Sequence, residues 1–314
     1  MTQAKKAFLF PGHTVKVGMG FREPKLTAAA KELYSRAEKI LGYEIPGLMR
    51  SGPLDQLRRT CNSQPAVFLS SLAVFYDLAA LGTTPDFLAG RSLGDLTAIV
   101  ASGALSFEEG LSVIKRRGEI FERACELHPG RMAVLLGASE ERVRRICAEA
   151  AAETRGVCEL AGVNTDSNFV VSGTFDAVNA AERKAKAGGA HTMDIAMPGA
   201  FHSSLMRDAG REFSEVLRGV EFRNPGIPIV DERSESGFVA GRAAVKEFLT
   251  AQISTGVNWK QRIGILRASG AAVICELGLS QGMARIASGM IPNSSYHEIE
   301  THGEAVAFAG LQRT

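Results

Sequence analysis

The run Gly90-Arg91-Ser92-Leu93-Gly94 satisfies the pattern G-x-S-x-G, in which a strand turns sharply into a helix and leaves a serine hydroxyl exposed at the turn. Ser92 is thereby the candidate nucleophile for acyl transfer or hydrolysis. Its flanks fit: Phe87-Leu88-Ala89 reads as the end of a buried strand, and Asp95 followed by Leu96, Ala98, Ile99 and Val100 reads as the helix that follows. Both glycines have a steric reason to be there, because a side chain at either would crowd the backbone where strand and helix nearly touch. The pattern also allows a plainer role, a serine that caps the helix. A nucleophile needs in addition a base, an oxyanion site and a group that reads the substrate.

The elements around this turn read as an α/β progression. Ala7-Phe8-Leu9-Phe10 is a short apolar strand ending at Pro11-Gly12, an Ala- and Leu-rich helix follows from Leu26 to Leu41, and Pro65 opens another helix that runs to Leu81, with proline at its favoured early position. Ile227-Pro228-Ile229-Val230 and Ala272-Val273-Ile274-Cys275 read as further strands of the same sheet, separated by helical stretches at 243–252 and 259–269. Between His128-Pro129-Gly130 and Pro198-Gly199 the rhythm changes: strand at 132–136, helix at 139–152, strands at 157–164 and 169–172, helix at 174–187, strand at 191–197. That order, βαββαβ, is the ferredoxin-like arrangement. The expected organisation is a larger α/β-hydrolase-like domain with a parallel sheet and nucleophile elbow, built from residues 1–127 and 200–314, plus a small ferredoxin-like domain inserted at 128–199.

Composition removes several classes of function. A net charge of +2, from 36 Lys and Arg against 34 Asp and Glu, is too small to argue for nucleic acid, and no basic stripe interleaved with aromatics appears. No apolar run is long enough to span a bilayer, and Met1-Thr2-Gln3-Ala4-Lys5-Lys6 leads into a strand rather than a signal peptide, so a cytoplasmic protein with no membrane partner is expected. The cysteines Cys61, Cys125, Cys147, Cys158 and Cys275 are scattered, with no metal-ligand spacing. Neither a metal nor a redox cofactor is expected.

Taken together, separated motifs along nearly the whole chain resemble those of the malonyl-CoA:acyl-carrier-protein transacylases and the acyltransferase domains of polyketide synthases. Phe10-Pro11-Gly12 with Gly18-Met19-Gly20 resembles the family's opening loop, Ser63-Gln64-Pro65-Ala66 its Q-P-A helix, and Ala89 to Asp95 its A-G-H-S-L-G-E elbow. Arg117-Gly118, Val171-Ser172-Gly173, Ala200-Phe201-His202-Ser203, then Gln252, Val257 and Trp259, and finally Glu276-Leu277-Gly278 continue the match in order.

The resemblance implies Ser92 as nucleophile and His202 as its base, with a backbone carbonyl at Gln252 orienting the histidine. It implies Arg117 as the group that grips the free carboxylate of malonyl, which a guanidinium can hold with two parallel hydrogen bonds. Phe201 matches a position that excludes an α-methyl group, favouring malonyl over methylmalonyl. The oxyanion site falls to the backbone N–H of Leu93 and to the opening loop. There this chain departs from the family, with Gly12-His13-Thr14-Val15-Lys16 in place of G-Q-G-S-Q; His13 could donate a ring N–H instead. Arg91 stands where the family has histidine, and is either a second anion-binding cation or an outward salt-bridge partner.

The implied activity is ping-pong transfer of malonyl from malonyl-CoA to the phosphopantetheine thiol of an acyl carrier protein by a monomer. Alternatives on the same serine ester are an editing hydrolase and a transferase of another acyl group between carrier proteins. A non-catalytic carrier-protein binding module is a third.

Overall fold

A parallel sheet needs both faces covered, and strands buried on both faces read as continuous apolar runs rather than alternating ones. Lys5–Phe10 is such a strand, with every residue from Lys6 onward buried. The structure, a computed structural model, describes residues 4–21, 26–197 and 199–311. Met1 to Gln3 and the boundary residue Pro198 lie outside them. Among the described residues the strands in chain order are β1 (Lys5–Phe10), β2 (Phe87–Gly90), β3 (Arg131–Leu136), β4 (Cys158–Thr165), β5 (Asn168–Gly173), β6 (His191–Asp194), β7 (Val257–Asn258), β8 (Ala271–Leu277) and β9 (Ser295–Ile299).

The chain divides into two compact units. The first comprises Met1–Glu119, Gly219–Val245 and Arg262–Thr314; the second comprises Ile120–Arg218 and Lys246–Gln261. The segment 128–199 is contained in the second.

In the first unit the sheet order is β2-β1-β8-β9, all parallel. The register pairs Phe10 with Gly90 on one side and Leu9 with Glu276 on the other. The carboxyl ends of three strands thus finish together, where open α/β sheets place their ligands. The edge strand β9 has no apolar run to mark it in the sequence: Ser-Tyr-His-Glu-Ile is mostly polar, and only Ile299 is buried. Ile227–Val230 is not a full strand. Pro228 has no N–H to give a ladder, and the segment makes one parallel bridge, Leu88 to Ile229, with Leu88 donating to the Pro228 carbonyl at 2.9 Å and Val230 to the Leu88 carbonyl at 2.8 Å.

The helix expected to open at Pro65 starts earlier, spanning Thr60–Ala80 with Pro65 inside it. Its first turn is held by tertiary contact: the Thr60 hydroxyl donates to the Gly118 carbonyl at 2.8 Å. The helix is buried around nearly its whole circumference from Ser63 to Leu72, which leaves it no polar face for a pattern to reveal. The helix Ala28–Leu41 begins two residues after Leu26, where the Thr27 side chain accepts from the Ala30 amide and caps it.

The second unit carries a sheet of order β6-β3-β5-β4-β7. Its first four strands are antiparallel neighbours, and with helices Glu140–Thr154 and Phe175–Ala187 they make the expected βαββαβ unit. Val143 and Ile146 of one helix and Val178 of the other close over Phe169 and Val171 of β5. The added strand β7, parallel to β4, comes from the 246–261 part of the unit and is only two residues long, too short for a sequence signal.

Candidate active site

The elbow is where the glycines earn their positions sterically. A Cβ on Gly90 would lie 2.1 Å from the Asp95 amide nitrogen, and one on Gly94 would lie 2.1 Å from the Phe10 carbonyl oxygen. Only glycine permits both approaches. Ser92 is bent into φ 55°, ψ −108° at the mouth of the helix Leu93–Ala101, and its side chain makes no capping bond to that helix. The capping role is therefore not what this serine performs. A non-glycine residue at positive φ stores strain, which elbows of this kind use to present the nucleophile. Leu93, the first helical residue, has an amide with no intrahelical acceptor, aimed from the positive end of the helix dipole.

Arg117 reaches the serine from the helix Phe107–Leu127. The following residue explains how: a Cβ at Gly118 would sit 2.7 Å from the Thr60 carbonyl oxygen, so glycine lets the two helices close and brings Arg117 beside Gln64. Arg117 is 2% exposed. It donates from Nη1 to Gln64 Oε1 at 2.6 Å and from Nη2 to Ser92 Oγ at 3.4 Å. Burial pushes Arg117 down to about 9, with Asp95 pulling it back up; it stays cationic at neutral pH. Its neighbours do other work, Lys115 donating to the Leu41 carbonyl and Arg116 pairing with Glu119 at 2.5 Å.

Behind the elbow lies a group that nothing in the sequence marked. Arg262, fully buried, donates to the Gly90 carbonyl and to Asp95 Oδ1, both at 2.5 Å, to Asp95 Oδ2 at 3.2 Å and to Glu232 Oε2 at 2.6 Å. Burial opposes its charge, but the two carboxylates outweigh that and raise Arg262 above the usual arginine value. Asp95, the shorter acid at the end of the elbow motif, is thus one arm of a buried clamp on the turn.

On the opening loop, His13 Nε2 is hydrogen-bonded to Ser63 Oγ. The Ser63 hydroxyl gives its own proton to the Arg59 carbonyl at 2.9 Å, so Nε2 is the donor toward Ser63. A neutral His13 has then spent its only ring N–H, and a second ring donor for an oxyanion requires the imidazolium form. Arg91 is half-buried, its side chain makes no ion pair or hydrogen bond among the described residues, and burial pushes its guanidinium down while Glu276 pulls it up. The salt-bridge alternative for Arg91 is not realised.

In the second unit His202 is buried, at φ 61°. Its Nδ1 lies 2.7 Å from the Gln252 carbonyl oxygen. A carbonyl only accepts, so Nδ1 carries the proton and neutral His202 offers Nε2 as a lone pair, the form of a general base. Phe201 is buried against Phe121, with ring centroids 5.2 Å apart. Gly199 at φ 107° precedes this segment; a Cβ there would lie 2.5 Å from Cys125 Sγ.

The acyl transferase domain model matches residues 7–284, and the chain belongs to that family. It is 34% identical over 277 residues, 88% of this chain and 87% of the other, to the malonyl CoA-acyl carrier protein transacylase of Bacillus subtilis (strain 168). It is 31% identical over 303 residues, 95% of this chain and 98% of the other, to the polyketide biosynthesis malonyl CoA-acyl carrier protein transacylase PksC of the same strain. Among solved structures, malonyl-CoA:acyl carrier protein transacylase (FabD) of Xanthomonas oryzae superposes with a TM-score of 0.92 at 29% identity, covering 99% of both chains.

Proposed function

We propose that the chain transfers a malonyl group from malonyl-CoA to the phosphopantetheine thiol of an acyl carrier protein, in fatty-acid or polyketide biosynthesis, through an ester on Ser92. The observation that carries this reading is the buried guanidinium of Arg117 within 3.4 Å of the Ser92 hydroxyl. A cation that has lost its water gains from a carboxylate partner, and malonyl brings one, a single methylene away from the carbonyl that Ser92 attacks. Simple acyl chains bring none.

In the first half-reaction Ser92 Oγ attacks the thioester carbonyl while His202 Nε2 takes its proton. The oxyanion is held by the Leu93 amide, joined by the second ring N–H of His13 when that ring is the imidazolium. The C–S bond breaks and the CoA sulfur leaves with the proton from His202. In the second, His202 takes the proton of the carrier's thiol, the sulfur attacks the malonyl ester, and Ser92 leaves with that proton. The Gln252 carbonyl keeps the imidazole in the tautomer both steps require. Phe201 limits space beside the malonyl methylene; a methyl group there decides about 1–3 kcal/mol. Arg91, beside the nucleophile, adds positive potential for an anionic substrate. A cytoplasmic location suits a substrate carried as a CoA thioester. Among the described residues no helix is long and apolar enough to cross a membrane.

The test is a competition: equal malonyl-CoA and methylmalonyl-CoA with a holo carrier protein, followed by the mass of the carrier. A malonyl-loaded carrier in excess supports the reading. Free acid accumulating faster than loaded carrier would make the enzyme a hydrolase instead.

A further inference from the structure

We infer that Gln281 is a positioning residue for the chemistry at Ser92, seating the opening loop against the elbow; the inference rests on the Ser92 ester. The loop that leaves β1 has little of its own to hold it. Pro11 lacks an N–H, and Gly12 and His13 belong to no strand or helix. The Gln281 side chain supplies what a neighbouring strand would: Nε2 donates to the Gly12 carbonyl at 2.8 Å and Oε1 accepts from the Gly12 amide at 3.3 Å. Both backbone groups of a single residue are thereby paired by one amide.

Gln281 is itself anchored. Its backbone amide donates to Glu276 Oε1 at 2.6 Å, and Glu276 is fully buried near the end of β8, opposite Leu9 of β1, with the Ala284 amide donating to its other oxygen at 3.0 Å. The clamp therefore starts from the sheet rather than from another loop. What it presses on is the elbow. Arg91 donates its backbone N–H to the Phe10 carbonyl at 3.0 Å, and a Cβ at Gly12 would meet the Arg91 carbonyl oxygen at 3.0 Å. One residue on, the His13 ring is fixed to Ser63. Gly12 is tied from one side and His13 from the other, so the loop's backbone is fixed beside Ser92 and Leu93 before substrate arrives. Preorganised donors act on the barrier, not on ground-state binding.

The Gln281→Ala and Gln281→Glu variants separate this from packing alone. Glutamate has the shape of glutamine but offers the Gly12 carbonyl no donor. Both variants are expected to acylate Ser92 from saturating malonyl-CoA about 10- to 100-fold more slowly than wild type, as for an active-site displacement of about an ångström. The Kd of malonyl-CoA, measured with the same changes on a Ser92→Ala background, is expected to stay within about twofold, because Arg117 is untouched. Acylation at the wild-type rate in Gln281→Glu overturns the inference, and so does a loss that appears equally in Kd. If instead wild-type enzyme forms its adduct on a residue other than Ser92, it is the serine-ester reading that fails.

Discussion

Arg117→Gln should convert a malonyl-selective enzyme into one that barely distinguishes malonyl from acetyl. Burial pushes Arg117 well below the usual arginine value, to about 9, which disfavours the cation by an amount on the order of 5 kcal/mol. A substrate carboxylate can return much of that. Counted from the other side, two charge-assisted hydrogen bonds contribute about 1.5–3 kcal/mol each. Both routes lead to a loss of about 3–5 kcal/mol in malonyl transfer, or roughly two to three and a half powers of ten in kcat/KM. Glutamine can still meet Gln64 and remains polar near Ser92, so the acetyl-CoA rate should change by no more than about threefold. Rapid-quench acylation with each donor, read as the mass of the acylated chain, gives the ratio directly. Equal falls for malonyl and acetyl would mean that Arg117 serves the serine or the fold rather than the substrate carboxylate.

Gly94→Ala forces a Cβ to 2.1 Å from the Phe10 carbonyl and should cost about 3 kcal/mol or more in urea unfolding, whereas Gly264→Ala, helical and with nothing within 4 Å, should gain about 0.5–1 kcal/mol. For Glu232, burial pushes the carboxyl up but Arg262 outweighs it and holds the group below 4.5. A depressed acid stabilises the fold above its unfolded value and loses that contribution as pH falls through the folded one. The stability gap between wild type and Glu232→Gln, about 1.5–3 kcal/mol at neutral pH, should therefore close progressively below pH 4.5; a gap that widened in acid would contradict the ion pair. Gln252→Ala removes a buried side chain but keeps the carbonyl that orients His202, so thermal stability should fall while kcat stays within about threefold; a thousandfold loss of kcat would assign the work to the side-chain amide instead.

What the sequence revealed about this fold was what short-range sterics control. The glycines at 90 and 94 announced a strand meeting a helix, and the βαββαβ rhythm of 131–194 showed in alternating apolar runs and in Ser139, which caps its helix by accepting from the Arg142 amide. Pro65 misled because a local rule, proline at a helix start, was overridden by Thr60 reaching Gly118, 58 residues away. Arg262 sits in an ordinary amphipathic helix, and only the folded chain shows it meeting Asp95 across 167 positions. Gln281 is hidden for the same reason, its partner Gly12 being 269 positions away. His13 was visible as a departure from the family loop, yet its tautomer depends on where the Ser63 proton goes, which is geometry and not sequence.

In the proposed reaction Ser92 carries the malonyl group between donor and carrier. Intact-mass measurement of wild type and Ser92→Ala after brief exposure to malonyl-CoA, followed by addition of a holo carrier protein, tests it most directly. One malonyl adduct is expected on wild type, none on Ser92→Ala, and that adduct should move to the carrier's thiol. An adduct that persists on Ser92→Ala, or a wild-type adduct that the carrier cannot remove, would contradict it.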